Sequence, residues 1–327
     1  MDYLFKAPSK TFLVGEYAVL KGGTALVLNT DPLFQMSVSA SVENDCKGIH
    51  PLSPAGKWLR SRAVFFKGLK IEFIDPWQER GGYGASSAQF LFMHALSSLL
   101  NGQAPFADSE RYIHQLISDF HSLYDNESGF LPSGVDLISQ YLGGVSAINE
   151  DRTKSVAISW PFTFKNFLIF KTGYKVKSHE HLSDIHDENL LPLIEISKKS
   201  QFLFQNAEWS AFVESIKSYQ QQLIVNKWTC EKSIELINQI KSWPEVEVVK
   251  GCGAQGADTI VLLCDDSLSI GLKEKCRGLG LEYVADKMNL SRGFGFEAIN
   301  KLKSTNSEFK FTNFNEEMEA TFGDREL

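Results

Sequence analysis

Apolar residues return at helical spacing after a stretch made of glycine and serine. Ala88, Leu91, Phe92, Ala95, Leu96 and Leu99 fall on one helix face, directly behind Gly81-Gly82-Tyr83-Gly84-Ala85-Ser86-Ser87. The pattern predicts a helix entered through a glycine loop, with a serine able to cap it. Upstream, short apolar runs broken by small residues predict strands over 11–14, 15–20, 24–28 and 35–42, with a turn at Gly22-Gly23. Residues 43–60, carrying Gly48, Pro51, Pro54 and Gly56, read as a surface loop, and 70–74 as a short strand leading to the glycine loop. Tyr112, Ile113, Leu116, Ile117 and Phe120 mark a helix over 109–123, capped by Asp108 or Ser109. A turn at 131–136 leads into a short helix, followed by strands at 145–149, 155–160 and 167–170. Residues 187–241 are helical in period, the stripe Trp209, Phe212, Ile216, Tyr219 and Leu223 reading as core rather than ligand box. Strands at 246–250, 259–264 and 281–284 surround a helix at 267–277, and the last fifteen or so residues are polar enough to fray. Strands and helices in this mixture predict an α+β chain of two subdomains, 1–160 and 161–327.

Composition narrows the class. The chain has 327 residues, 43% hydrophobic and 22% charged, enough for a sizeable core in a soluble globular protein. With a net charge of −7 and no long basic run, neither nucleic acid nor an anionic membrane is an expected partner. Five cysteines, Cys46, Cys230, Cys252, Cys264 and Cys276, are odd in number and lack metal-ligand spacing, so they read as reduced thiols of a cytoplasmic protein. The first residues, 1–6, lack the pattern of a signal peptide, and no apolar run reaches transmembrane length.

Three clusters could carry chemistry. A glycine loop opening onto a helix N-terminus presents unpaired N–H groups and the positive end of the dipole to a phosphate chain, although the same residues suit an ordinary capped core helix. In Ser133-Gly134-Val135-Asp136, a carboxylate at a helix start can accept or orient a substrate hydroxyl proton, or simply favour the dipole. Lys10 could hold that carboxylate ionised or stabilise a transferring phosphoryl group, and taken alone is a surface lysine. Asp125 and Glu127 could supply a Mg²⁺ ligand or stand in solvent. The run from Lys250 through Gly251, Cys252, Gly253, Ala254, Gln255, Gly256 and Ala257 to Asp258 lets backbone approach a ligand, or forms a hairpin turn.

Taken together and in order, these clusters resemble a known set. Ala7-Pro8-Ser9-Lys10 with Gly15-Glu16-Tyr17-Ala18-Val19, then Gly84-Ala85-Ser86-Ser87-Ala88, then Gly253-Ala254-Gln255-Gly256-Ala257-Asp258 resemble the three motifs of the GHMP kinase family across nearly the whole chain. Ser133-Gly134-Val135-Asp136 followed by Gly143-Gly144 is similar to the catalytic-aspartate segment of the mevalonate-pathway members. Lys171-Thr172-Gly173 followed by Ser178 is similar to their post-linker strand. The resemblance implies a two-subdomain GHMP fold with its site in the cleft, and ATP- and Mg²⁺-dependent phosphorylation of a small acid or phosphorylated acid. It implies Asp136 and Lys10 as catalytic, Gly82, Gly84, Ala85, Ser86, Ser87 and Ala88 at the nucleotide, and Ser87 and Asp125 as Mg²⁺ ligands. Glu16, Ser133, Gly134, Gly253 and Ala254 fall on the acceptor side, and a homodimer is compatible with the family. The first and third motifs look more like phosphomevalonate kinases, and the segment 132–136 more like mevalonate kinases. Lys175, Lys177 and Arg292 are cations available to an acceptor phosphate. Ala85, Gln255 and Ala257 depart from family glycines, which leaves a metabolite- or partner-binding protein as the alternative.

Overall fold

The computed structural model describes residues 2–43, 45–78, 82–103, 105, 108–124, 131–174, 187–253 and 256–299. Two long antiparallel strands, β1 (Asp2–Val14) and β2 (Ala25–Ala40), form the spine of a seven-stranded sheet, with Tyr3 opposite Val38 and Thr11 opposite Leu28. The far half of β2 pairs with β4 (Leu69–Ile74), which takes β3 (Asp45–Lys47) in parallel on its other edge. The near half pairs with β5 (Val145–Ile148), which pairs in turn with β6 (Val156–Ile158). Chain from the other end of the sequence joins the sheet: β11 (Gly295–Ile299) pairs with β1.

Alternation along β2 explains its continuous apolar run. Ala25 and Val27 enter a core shared with α1 (Pro54–Ser61), α2 (Ala85–Leu100), α3 (Ser109–His121) and α4 (Val135–Leu142). Leu26 and Leu28 enter a second core shared with α5 (Asp187–Gln205) and α6 (Trp209–Val225), so both faces of this half-strand are buried. The second sheet is antiparallel, in the order β10 (Glu282–Asp286), β7 (Lys165–Lys171), β9 (Thr259–Asp265), β8 (Val248–Cys252). Its Phe167, Ile169, Val261 and Leu263 face α5 and α6. Leu168, Phe170, Ile260 and Leu262 face α7 (Glu231–Lys241) and α8 (Ser269–Gly278). Phe212, Ile216, Tyr219 and Leu223 are buried, and Trp209 packs against them, as the helical stripe predicts.

The structure corrects three expectations. Residues 43–60 are not a plain loop: Ser53 Oγ accepts from Gly56 N at 3.1 Å, Pro54 occupies the first helical position and Trp58 is buried, so the proline starts α1 instead of breaking it. Residues 15–20 do not form a strand. Positive φ at Gly15 and Tyr17 turns the chain into a 3₁₀ turn, Ala18–Lys21, closed by Gly22 in the left-handed region. The strands expected at 24–28 and 35–42 are one, β2. The five cysteines are free. Among the described residues no helix is long and apolar enough to cross a membrane. The expected fraying of the C-terminal residues lies outside the described ones.

Candidate active site

Lys10 sits on β1, where its backbone N–H donates to Tyr83 O at 3.0 Å and ties the strand to the glycine loop. Asp136 is the second residue of α4, entered through Gly134 at φ 71°, and its carboxylate in the first turn is favoured by the helix dipole. The two side chains meet: Lys10 Nζ lies 3.0 Å from Asp136 Oδ2, with the lysine side chain 12% exposed and the aspartate 39%. The ammonium is therefore held within the fold while the carboxylate still opens to solvent. Ser133 lies just ahead of this helix, its Oγ accepting from Val135 N at 3.4 Å.

Gly84 caps α2 at φ 95°, and among the described residues no side chain caps the helix. The first N–H groups of α2, those of Ala85, Ser86 and Ser87, are thus left to an outside acceptor, the arrangement that suits phosphate. Ser86 is exposed. Ser87 is buried and donates its hydroxyl proton to Gly84 O at 2.9 Å, which leaves its lone pairs for another partner. Ala88 N also donates to Gly84 O at 2.9 Å, and the Ala88 side chain enters the core. A Cβ on Gly84 would meet Lys10 Cγ and Gln140 Nε2, each at 2.9 Å, so loop, lysine and α4 are packed together here.

The third glycine cluster reaches the same place. Asp258 lies against Gly82, 2.8 Å from where a Cβ there would stand, and against Gly253, so one side chain joins two loops distant in sequence. Thr172, just past β7, donates to Ala257 O. Trp77 stacks on Tyr83 with ring centroids 4.0 Å apart and donates Nε1–H to Ser9 Oγ at 2.7 Å. Burial, with Glu282 and Asp258 nearby, pushes the Tyr83 phenol well above its ordinary range.

Glu16 is buried and its carboxylate pairs with the buried ammonium of Lys250 on β8, which also donates to Gly251 O at 3.0 Å. Tyr219 on α6 donates to Glu16 O, and Cys252 Sγ donates to Phe12 O at 3.1 Å. Burial pushes the Cys252 thiol up to about 11. Arg292 is exposed and its backbone bridges to Gly143 beyond the end of α4. Asp125, Glu127, Lys175, Lys177, Ser178, Gly81, Ala254 and Gln255 lie outside the described residues. The sequence reading passed over Gln140 and Trp77, and singled out Lys250 only as the start of a glycine run. A lone polar residue on a helix and a lone tryptophan carry no local signal of what they touch.

No protein-family profile and no curated protein matches the sequence. Solved structures do. The Lin0012 protein of Listeria innocua superposes with a TM-score of 0.71 at 16% identity, over 91% of this chain and 99% of that one. Phosphomevalonate kinase of Streptococcus pneumoniae, in complex with phosphomevalonate and AMPPNP, gives 0.68 at 15% identity over 86% and 98%. Mevalonate kinase of Methanococcus jannaschii gives 0.65 at 15% over 88% and 98%. The chain has the α+β fold of the GHMP kinases over most of its length.

Proposed function

We propose that this chain is an ATP-dependent small-molecule kinase of the GHMP type, and that its acceptor is phosphomevalonate. The observation that carries the reading is the Lys10–Asp136 pair at 3.0 Å, packed beside the uncapped N-terminus of α2. Support for the nucleotide comes from the start of α2, where Gly84 is the cap and, among the described residues, no side chain takes the first N–H groups, leaving them to an anion. Support for the acceptor comes from the first and third motifs and from the likeness to a kinase solved with phosphomevalonate.

In this reading the backbone N–H groups of Ala85, Ser86 and Ser87 and the dipole of α2 hold the phosphates. Ser87, through its lone pairs, and Asp125 would hold Mg²⁺, which would neutralise phosphate charge when bound. Lys10 stabilises charge on the group in transfer and pairs with the Asp136 carboxylate at 3.0 Å. A phosphate acceptor is already anionic, so Asp136 acts on any proton it still carries, as it would on a hydroxyl, and added cations must offset the repulsion between the two anions. By the motif likeness Ser133, Gly134 and Gly253 fall on the acceptor side, as does Ala254 of the same run; Glu16, its carboxylate buried against Lys250, is left to packing. Mevalonate is the second acceptor to test, because the segment 132–136 resembles mevalonate kinases.

Steady-state assays with ATP, Mg²⁺ and each acid test the proposal. Turnover with phosphomevalonate is expected. Asp136→Asn is expected to lower kcat by about 10²-fold with nucleotide affinity by calorimetry unchanged. Unchanged kcat in the variant would remove Asp136 from the mechanism, and turnover with mevalonate alone would replace the acceptor. Absence of turnover with either acid would favour a binding protein.

A further inference from the structure

Gln140 is fully buried on α4, one helical turn beyond Asp136 and on the same face. Its Nε2 donates to Pro8 O at 2.8 Å and to Gly84 O at 3.2 Å. Both partners are carbonyl oxygens, so only the NH₂ end of the amide can face them. Its Oε1 is buried with no hydrogen-bond partner among the described residues. An apolar residue of similar size would avoid that desolvation but would leave Pro8 O without this donor, so the amide is kept for the carbonyls it binds.

The two carbonyls are the ones that matter to the site. Pro8 stands at the register shift between Ala7 and Ser9, where the β1–β2 ladder is interrupted, and Gln140 takes up its oxygen two residues before Lys10. Gly84 O already accepts from Ala88 N and Ser87 Oγ, and Gln140 supplies a third donor. That fixes the plane of the peptide through which the glycine loop enters α2.

We propose that Gln140 is the positioning residue of this site: its amide fastens the strand carrying Lys10 and the cap of the glycine loop to the helix carrying Asp136, setting the Lys10–Asp136 distance and the direction of the α2 N–H groups. This rests on the kinase reading above for its consequence in catalysis, and on the hydrogen bonds alone for its consequence in structure. Misplacement of reacting groups by about 1 Å can cost on the order of 10²-fold in rate.

The variants are Gln140→Leu and Gln140→Met, close in volume and without the donor, alone and with Lys10→Met. Expected in either single variant is faster hydrogen exchange, by tenfold or more as an order-of-magnitude expectation, at the Lys10 and Ala88 amides, with the second sheet unchanged. A fall in kcat of about 10²-fold is expected with the acceptor KM little changed. In the Lys10→Met background the same change is expected to cost only a few-fold, because the geometry it protects is already lost. A merely structural glutamine would give the same factor in both backgrounds. Unchanged exchange at Lys10 and Ala88, or full additivity with Lys10→Met, would overturn the proposal while leaving the kinase reading intact. If the parent protein turns over neither acid, the kinase reading fails and the exchange measurement decides the positioning claim by itself.

Discussion

At the scale of single residues, glycines in the left-handed region differ in what surrounds them. Gly22 at φ 80° has nothing within 4 Å of a Cβ, whereas Gly84 at φ 95° has Lys10 and Gln140 at 2.9 Å. Substitution at Gly22 incurs only backbone strain, about 1 kcal/mol. At Gly84 it must also displace the two side chains that define the site. Gly84→Val is expected to destabilise by about 2–3 kcal/mol and to abolish the rise in melting temperature with Mg-ATP, while Gly22→Ala keeps that rise. Thermal shift with and without nucleotide checks both. A ligand shift that survives in Gly84→Val would remove the loop from nucleotide binding. Ser87→Ala should keep the fold, since only one hydroxyl bond to Gly84 O is lost, and should weaken the Mg²⁺-dependent part of the shift.

At the scale of elements, α8 is fastened to the end of β10 by charge. Lys273 Nζ donates to Asp286 Oδ2 at 2.7 Å, and Met288 N donates to the other carboxylate oxygen at 2.8 Å, closing the turn after the strand. Burial opposes ionisation of Asp286, but these bonds outweigh it and hold its carboxyl below the ordinary 3.8. Burial likewise opposes the charge on Lys273, and Asp286 and Tyr283 outweigh it, holding the ammonium above its ordinary 10.5. The depressed carboxyl stabilises the fold at pH values above 3.8 and ceases to do so as pH falls through its folded value. The raised ammonium stabilises below 10.5 and ceases to do so as pH rises through its folded value. Asp286→Asn should therefore cost on the order of 1–2 kcal/mol at neutral pH, with the difference from the parent shrinking below about pH 4. Denaturant unfolding across that range is the check, and a pH-independent difference would contradict the assignment.

At the scale of the whole molecule, the second core takes side chains from both halves. Leu26, Leu28 and Val145 of the first sheet share it with Phe167 and Val261 of the second sheet and Phe212 of α6. Within reach of that core lies the Glu16–Lys250 pair, with Lys250 1% exposed. Breaking such a pair leaves a buried charge uncompensated, which typically costs about 3–5 kcal/mol, whereas removing both charges costs far less. Lys250→Met is expected to destabilise by that amount, and Glu16→Gln with Lys250→Met to recover much of it, as read by urea unfolding. A loss under about 1 kcal/mol in the single variant would show the pair to be unimportant to the joining of the halves.

The sequence by itself determined the helices of strong period and the place of the glycine loop, because both signals are local. The stripe from Phe212 to Leu223 repeats every turn, and Gly84 followed by serines announces a helix entry, although the serines expected to cap it lie inside the helix and Gly84 takes the cap position. It also determined which residues could form a site, since Lys10, Asp136 and the three glycine clusters match a known order. Local signals failed where distant chain decided the outcome. Pro54 looked like a breaker until Trp58 found its place in the core; β11, which the sequence reading did not anticipate, exists only against β1. The 3.0 Å meeting of Lys10 and Asp136 spans more than a hundred residues, and the partners of Gln140 lie on β1 and at the head of α2. Hydrogen bonds and ion pairs between such segments depend on where packing of the two cores brings the backbones, and no spacing along the chain encodes that distance.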